Sequence, residues 1–297
     1  MDAIINLREA VELCTTKPAR RPLLFLSFNH PAQAPNSRPL LLLSLNHLAQ
    51  AYDSHYQYSE DISDVVGKVD VLRRVLDLTD GGKGRLVPLI NLTNALWKLC
   101  EIEHNRRNDL EEAVLRGREA LKLSDVSDGI IHIKALITLA NVLSSRYVQI
   151  SPKEVEGATV LEDAISYNRQ ALLICPQDDP LYLTIENNLG NIYLTQFNKS
   201  GTEGDLVKGI QAYEDVISHC PDNNDDFTYY QETLKDAKRA LQDKREGRTD
   251  KLSVFITTSV TIRLRSSQLD SPSTPRSPTK RESSFTPLTP SGELRSV

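Results

Sequence analysis

Cysteine, glycine and the aromatic residues are all scarce in this chain of 297 residues, and no long hydrophobic run interrupts it. Four cysteines cannot staple a chain of this length, so a disulfide framework is excluded and a reducing compartment is expected. Thirteen glycines and 6% aromatics speak against a β-sandwich or a dinucleotide-binding sheet, and favour a mainly helical chain. The longest apolar runs, such as Leu40 to Leu43, fall far short of the ~20 residues that a membrane span needs. The acidic start at Asp2 and Glu9 does not resemble a signal peptide. Basic residues form no long block, and 35 of them against 40 acidic ones leave a formal charge of −5. Neither nucleic acid nor a membrane surface is therefore an expected partner. A soluble protein of the cytoplasm fits best, with the nucleus and the oligomeric state left open.

What the chain does contain is a repeat. Leu92-Thr93-Asn94-Ala95-Leu96, Leu139-Ala140-Asn141-Val142-Leu143 and Leu189-Gly190-Asn191-Ile192-Tyr193 share one pattern, and Leu48-Ala49-Gln50-Ala51-Tyr52 is a looser copy. The leading leucines stand 44, 47 and 50 residues apart. Each motif precedes a second apolar-periodic stretch in which small or branched residues recur at a spacing of seven, as at Ala113 and Ala120, Ala164 and Ala171, and Gly209 and Val216. Seven residues are two turns on one helical face, and small side chains there let two helices approach closely. Residues 2–14 read as the second helix of a repeat without its first. Full repeats follow at about 38–80, 85–125, 130–176 and 180–221. A helix over 225–246, polar on one side, is expected to cap the array, since a solenoid must close its last hydrophobic face. The helical array thus covers residues 1–247. Between its first two parts, residues 18–37 hold an irregular duplicate: Arg21 to Ala34 recurs as Arg38 to Ala51 with three differences. Pro31 replaces the core Leu48 and costs a helix about 3 kcal/mol, so the second copy is expected to be the working helix.

These residues resemble the tetratricopeptide repeat (TPR), with Leu-Gly-x-x-Tyr at 189–193, then Gly209, Tyr213, Val216 and Pro221. The match is fullest in the fourth repeat and loosest in the first, and the turn inside each pair is several residues longer than the pattern. Such long repeats are similar to those of kinesin light chains and of fungal TPR proteins that carry NACHT or caspase-like domains. The resemblance implies an all-α fold: a right-handed superhelix of antiparallel helix pairs, about ten helices in all.

No constellation for catalysis accompanies the repeat. Gly81-Gly82-Lys83-Gly84 lacks the spacing of a phosphate loop, and no metal or nucleophile motif occurs. Cys14, Cys175 and Cys220 fall at one repeat position and Cys100 at another, which reads as buried structural thiols. Neither an enzyme nor a cofactor or metal site is expected. The expected ligand is a peptide or partner protein. In TPR proteins the residue two after the repeat leucine faces the concave groove, and here it is Gln50, Asn94, Asn141 and Asn191. Asn91, Asn187 and Asn188 lie nearby on the same helices. An amide accepts from a peptide N–H and donates to a peptide C=O, so a row of them grips an extended backbone. Lys98 and Lys134 add positive charge, which favours an acidic or carboxylate-bearing ligand, although they form no two-lysine clamp. The competing reading is that the amides bond between neighbouring helices or face water. A second functional reading takes the chain as the sensor repeats of a NACHT- or caspase-like signalling protein without its effector domain.

Residues 248–297 break the periodicity. From Thr249 onward, 24 of 49 residues are Ser, Thr or Pro, and such a segment buries too little apolar surface to offset its ordering entropy. A disordered tail is expected. From Thr249 onward it carries a net +3, which leaves −8 on the residues before it. Ser271, Thr274, Ser277, Thr286 and Thr289 each precede proline, the signature read by proline-directed kinases. Each phosphate adds about −1.5 to −2 charges, so two or three would reverse the sign of the tail. Phosphopeptide mapping of the protein from growing cells is expected to find at least one of the five modified; five bare sites would rule the switch out.

Overall fold

A computed structural model describes residues 37–149, 156–221 and 223–248, together with Ile5 and Arg8. Nine long helices occupy these residues: α1 (Ser37–Ser59), α2 (Ile62–Leu78), α3 (Leu86–Ile102), α4 (Arg107–Leu123), α5 (Ile130–Gln149), α6 (Glu156–Ile174), α7 (Pro180–Ser200), α8 (Glu203–His219) and α9 (Phe227–Arg245). No strand occurs among the described residues. Local chemistry sets the ends. Asp61 and Asp179 accept from the backbone N–H groups of Ser63 and Leu181 at the starts of α2 and α7, and Pro180 adds a first residue whose missing N–H costs nothing. Gly201 closes α7 in the left-handed conformation at φ 67°, with its N–H bonded to the Phe197 carbonyl. The Gly81–Gly84 segment is a turn leading into a short 3-10 helix, Lys83–Arg85. Lys83 bridges there to Asp128 (2.8 Å) and Asp125 (3.1 Å) of the next turn.

Consecutive helices pair as α1 with α2, α3 with α4, α5 with α6 and α7 with α8, and each second helix packs on the next first helix. Contacts also run from α3 to α5 and from α5 to α7, so the first helices form a row of their own. The fold is an all-α solenoid-like stack. The second copy of the duplication lies in α1 with Leu41, Leu45 and Leu48 buried; the first copy and most of residues 2–14 lie outside the described residues. At the far end, α9 lays Tyr230, Ala237 and Ala240 on α8, with Leu234 and Leu241 half-buried beside them. Its other side carries the lysines, aspartates and arginines that face water, as the end of a stack requires.

Close approach is made by the small residues. Ala113, Ala164 and Ala171 are fully buried, and a side-chain carbon on Gly190 would stand 2.8 Å from the Tyr213 ring. One on Gly209 would stand 2.6 Å from Leu194, across the same pair of helices. Into the room so left fit Leu92, Leu96, Leu139, Leu194 and Phe197, each at most 1% exposed. Full burial of such a side chain contributes about 1.5–3 kcal/mol. Cys100, Cys175 and Cys220 are buried thiols outside any disulfide, and burial pushes those of Cys100 and Cys175 up to about 12, far from a reactive thiolate. Cys14 lies outside the described residues.

The packing yields a paired prediction. Gly190→Ala drives a methyl into the fully buried Tyr213 ring and should cost about 1–3 kcal/mol in chemical denaturation. Gly204→Ala, on α8 where only Thr202 Cγ2 lies within 4.0 Å, should leave stability unchanged or raise it by up to about 1 kcal/mol.

Candidate binding clefts

The first helices carry the amides, and stacking distributes them over two clefts and the wall between. The larger cleft, about 850 Å³, is bounded by α1, α2, α3 and the start of α5. Exposed Asn46 and Gln50 line it from α1, half-buried Asn91 from α3 and Lys134 from α5. Its apolar wall includes Val87, Pro88 and Ile131. Lys68 and Asp53 also line it, joined in a largely buried ion pair of 2.9 Å.

The smaller cleft, about 270 Å³, is built from α3, α5 and α7, with His104 from the turn after α3. Asn141, Asn188 and Asn191 lie in its wall at 1%, 1% and 4% exposure. Among the described residues, neither amide atom of Asn141 or of Asn188 has a hydrogen-bond partner, and Asn191 Nδ2 has none either. A buried polar group left unpaired costs about 1–3 kcal/mol. Among the described residues nothing pairs with these five amide atoms.

The remaining predicted residues are placed differently. Asn94, 4% exposed, and Lys98 fall between the clefts beside a space of about 10 Å³, where the Lys98 ammonium lies 4.1 Å from the centre of the Tyr56 ring. That volume holds one water at most. Asn187 lines neither cleft. The buried Tyr213 hydroxyl donates to Asn191 Oδ1 at 2.6 Å and lies 3.1 Å from Asn187 Oδ1. For Asn187 and for the oxygen of Asn191, the amide thus bonds between neighbouring helices. Lys98 and Lys134 stand at different places along the stack and share no cleft. The five Ser/Thr-Pro sites lie outside the described residues.

Three residues of the smaller cleft's surroundings escape the repeat pattern. The Trp97 indole N–H donates to Ser145 Oγ at 2.8 Å, and Ser145 donates in turn to Glu101 Oε1 at 2.5 Å. Burial raises the Glu101 carboxyl above the ordinary range, while the Ser145 hydrogen bond, nearby His104 and the Trp97 N–H pull it back. The sequence does hold a signal for it: Glu101 stands seven residues after Asn94, two turns along the same helix. A leucine-centred motif does not draw the eye to it.

Among the described residues, no group of three His, Cys, Asp or Glu is arranged to hold a metal ion. No described helix is long and apolar enough to cross a membrane. No protein-family model matches the chain, and no curated protein matches it. The reading of function rests on the clefts themselves.

The raised carboxyl gives a signed pH dependence. In the window between its ordinary value and its raised one, the folded state holds the proton more tightly than the unfolded, so stability falls as pH rises through that window. Glu101→Gln keeps an acceptor for Ser145 and removes the charge. Its thermal midpoint should match that of the parent at acid pH and exceed it at neutral pH. Parallel melting curves for the two proteins would refute the assignment.

Proposed function

We propose that the chain is a non-enzymatic adaptor that holds an extended segment of a partner protein along the row of first helices, as its resemblance to tetratricopeptide repeats implies. The observation that carries this reading is the set of buried, unpartnered amides at the smaller cleft. A folded chain normally satisfies its buried amides. Here Asn141 and Asn188 each offer a free acceptor and a free donor, the pair that a peptide unit needs. The torsion that carries an asparagine amide is a soft sp³–sp² one, so a turn of the amide presents its atoms to an occupant of the cleft. Gln50, Asn91 and Lys134 in the larger cleft extend the same polar row towards α1. Phosphorylation of the tail belongs to this reading as its regulation, and the cytoplasm as its compartment.

Ligand-binding amides and structural amides respond oppositely to replacement by leucine. Removing an amide that the fold leaves unpaired should raise the stability of the free protein by about 1 kcal/mol, whereas removing a structural one lowers it. Asn141→Leu with Asn188→Leu should therefore melt higher than the parent. Random peptides displayed on phage should enrich on the full-length chain and be lost from this variant. Equal enrichment on both proteins, or a lower melting point, would sink the reading.

A further inference from the structure

The smaller cleft has a charge character that the sequence does not suggest. Its lining includes one carboxylate, Glu101, and no lysine or arginine. Among the described residues no lysine or arginine forms an ion pair with Glu101, which accepts from Ser145 and has the Trp97 N–H close by. The basic side chains of the same helices are engaged elsewhere: Arg146 reaches Glu111 at 3.2 Å, and Lys98 sits over the Tyr56 ring. His104, in the same lining, gives the Glu101 carboxylate some Coulomb return, but desolvation outweighs it, which is the sense of the raised proton affinity.

The surroundings are suited to the missing charge. Cys100, Val148 and Ile192 give the cleft apolar walls against which a methylene stem can lie. Asn141 Oδ1 and Asn188 Oδ1 are acceptors without donors, and the amide nitrogens of the same residues and of Asn191 are donors without acceptors. At about 270 Å³ the cleft is smaller than a drug-sized site, and is of a size for one side chain with its adjoining peptide groups. We infer that this cleft is the subsite for a cationic side chain of the bound segment, arginine above all, with Glu101 as its counter-ion and the amides of Asn141, Asn188 and Asn191 on its spare N–H groups and flanking peptide. The inference rests on the peptide-binding reading and adds to it a ligand charge opposite to the one that Lys98 and Lys134 suggest. Arginine is favoured over lysine because its planar fork satisfies a carboxylate and amide oxygens at once.

The chain supplies its own reporter. Trp97 is its single tryptophan, and the indole N–H is joined to Glu101 through Ser145, so a cation on the carboxylate must disturb it. The test titrates the full 297-residue protein with the N-acetyl methylamides of arginine, citrulline, norleucine and glutamate, following the indole resonance by NMR. Citrulline copies the shape of arginine without its charge. The expected result is a saturable shift in which arginine binds at least ~10-fold more tightly than citrulline, a difference of about 1.4 kcal/mol. Glu101→Gln should abolish that factor while the residual binding of citrulline persists, and added salt should weaken arginine alone. If all four derivatives bind alike, the cleft takes peptide units without regard to charge: the cationic subsite is overturned and the adaptor reading stands. If none binds while displayed peptides still enrich, the subsite alone is lost. If neither binds, both fall.

Discussion

Everything in this molecule depends on how closely two helices can lie. The Tyr52 ring occupies the space a side chain on Gly67 would need, Tyr213 that of Gly190, Leu194 that of Gly209, and Leu139 packs at 3.0 Å from the position of a side-chain carbon on Gly117. Three of these contacts lie within a helix pair and the last joins one pair to the next. A large side chain facing a bare backbone fixes the separation, and the repetition of that arrangement fixes the stack. Glycine is scarce in the sequence because few positions need it, and several of the few are contact points between helices.

From that spacing follows the row of first helices. Since α3 touches α5 and α5 touches α7, polar groups on successive first helices face a common lining instead of separate patches of solvent. Burial to a few per cent is the result for Asn141, Asn188 and Asn191, and burial is what gives an amide energetic weight. On an exposed helix the same residues would trade hydrogen bonds with water at little net cost. The fold is thus under tension between close packing, which buries these groups, and the lack, among the described residues, of partners for five of their six amide atoms. Proteins tolerate such tension mainly where something else bears on the site.

The helical array was legible because its signal is redundant. Four copies of one leucine-centred pattern, with small residues two turns apart, leave little choice of period, and the boundaries of α3, α5 and α7 fall within the expected repeats. Position along a helix was legible; partnership was not. Asn141 and Asn191 share a repeat position, yet only Asn191 meets a tyrosine hydroxyl, because the aromatic at Tyr213 has no hydroxyl-bearing equivalent in the preceding pair, where Asn168 follows Ala164 and donates to its carbonyl. Likewise Lys98 reads from the sequence as a groove cation, but the aromatic ring of Tyr56 claims it. Glu101 was passed over for the opposite reason: an acidic residue near a helix end is ordinary until a serine and a tryptophan from two helices converge on it.

The hydrogen bond from Tyr213 to Asn191 has one more effect. An asparagine amide is ordinarily free to flip, and so reads as donor or acceptor by turns. With its oxygen occupied by a hydroxyl from α8 at 2.6 Å, Asn191 keeps its amino group for the other side. The wall therefore has a sense of direction. At Asn141 the amide can turn either way, while at Asn191 it offers hydrogen only, and a chain laid across both would meet different chemistry according to which end came first.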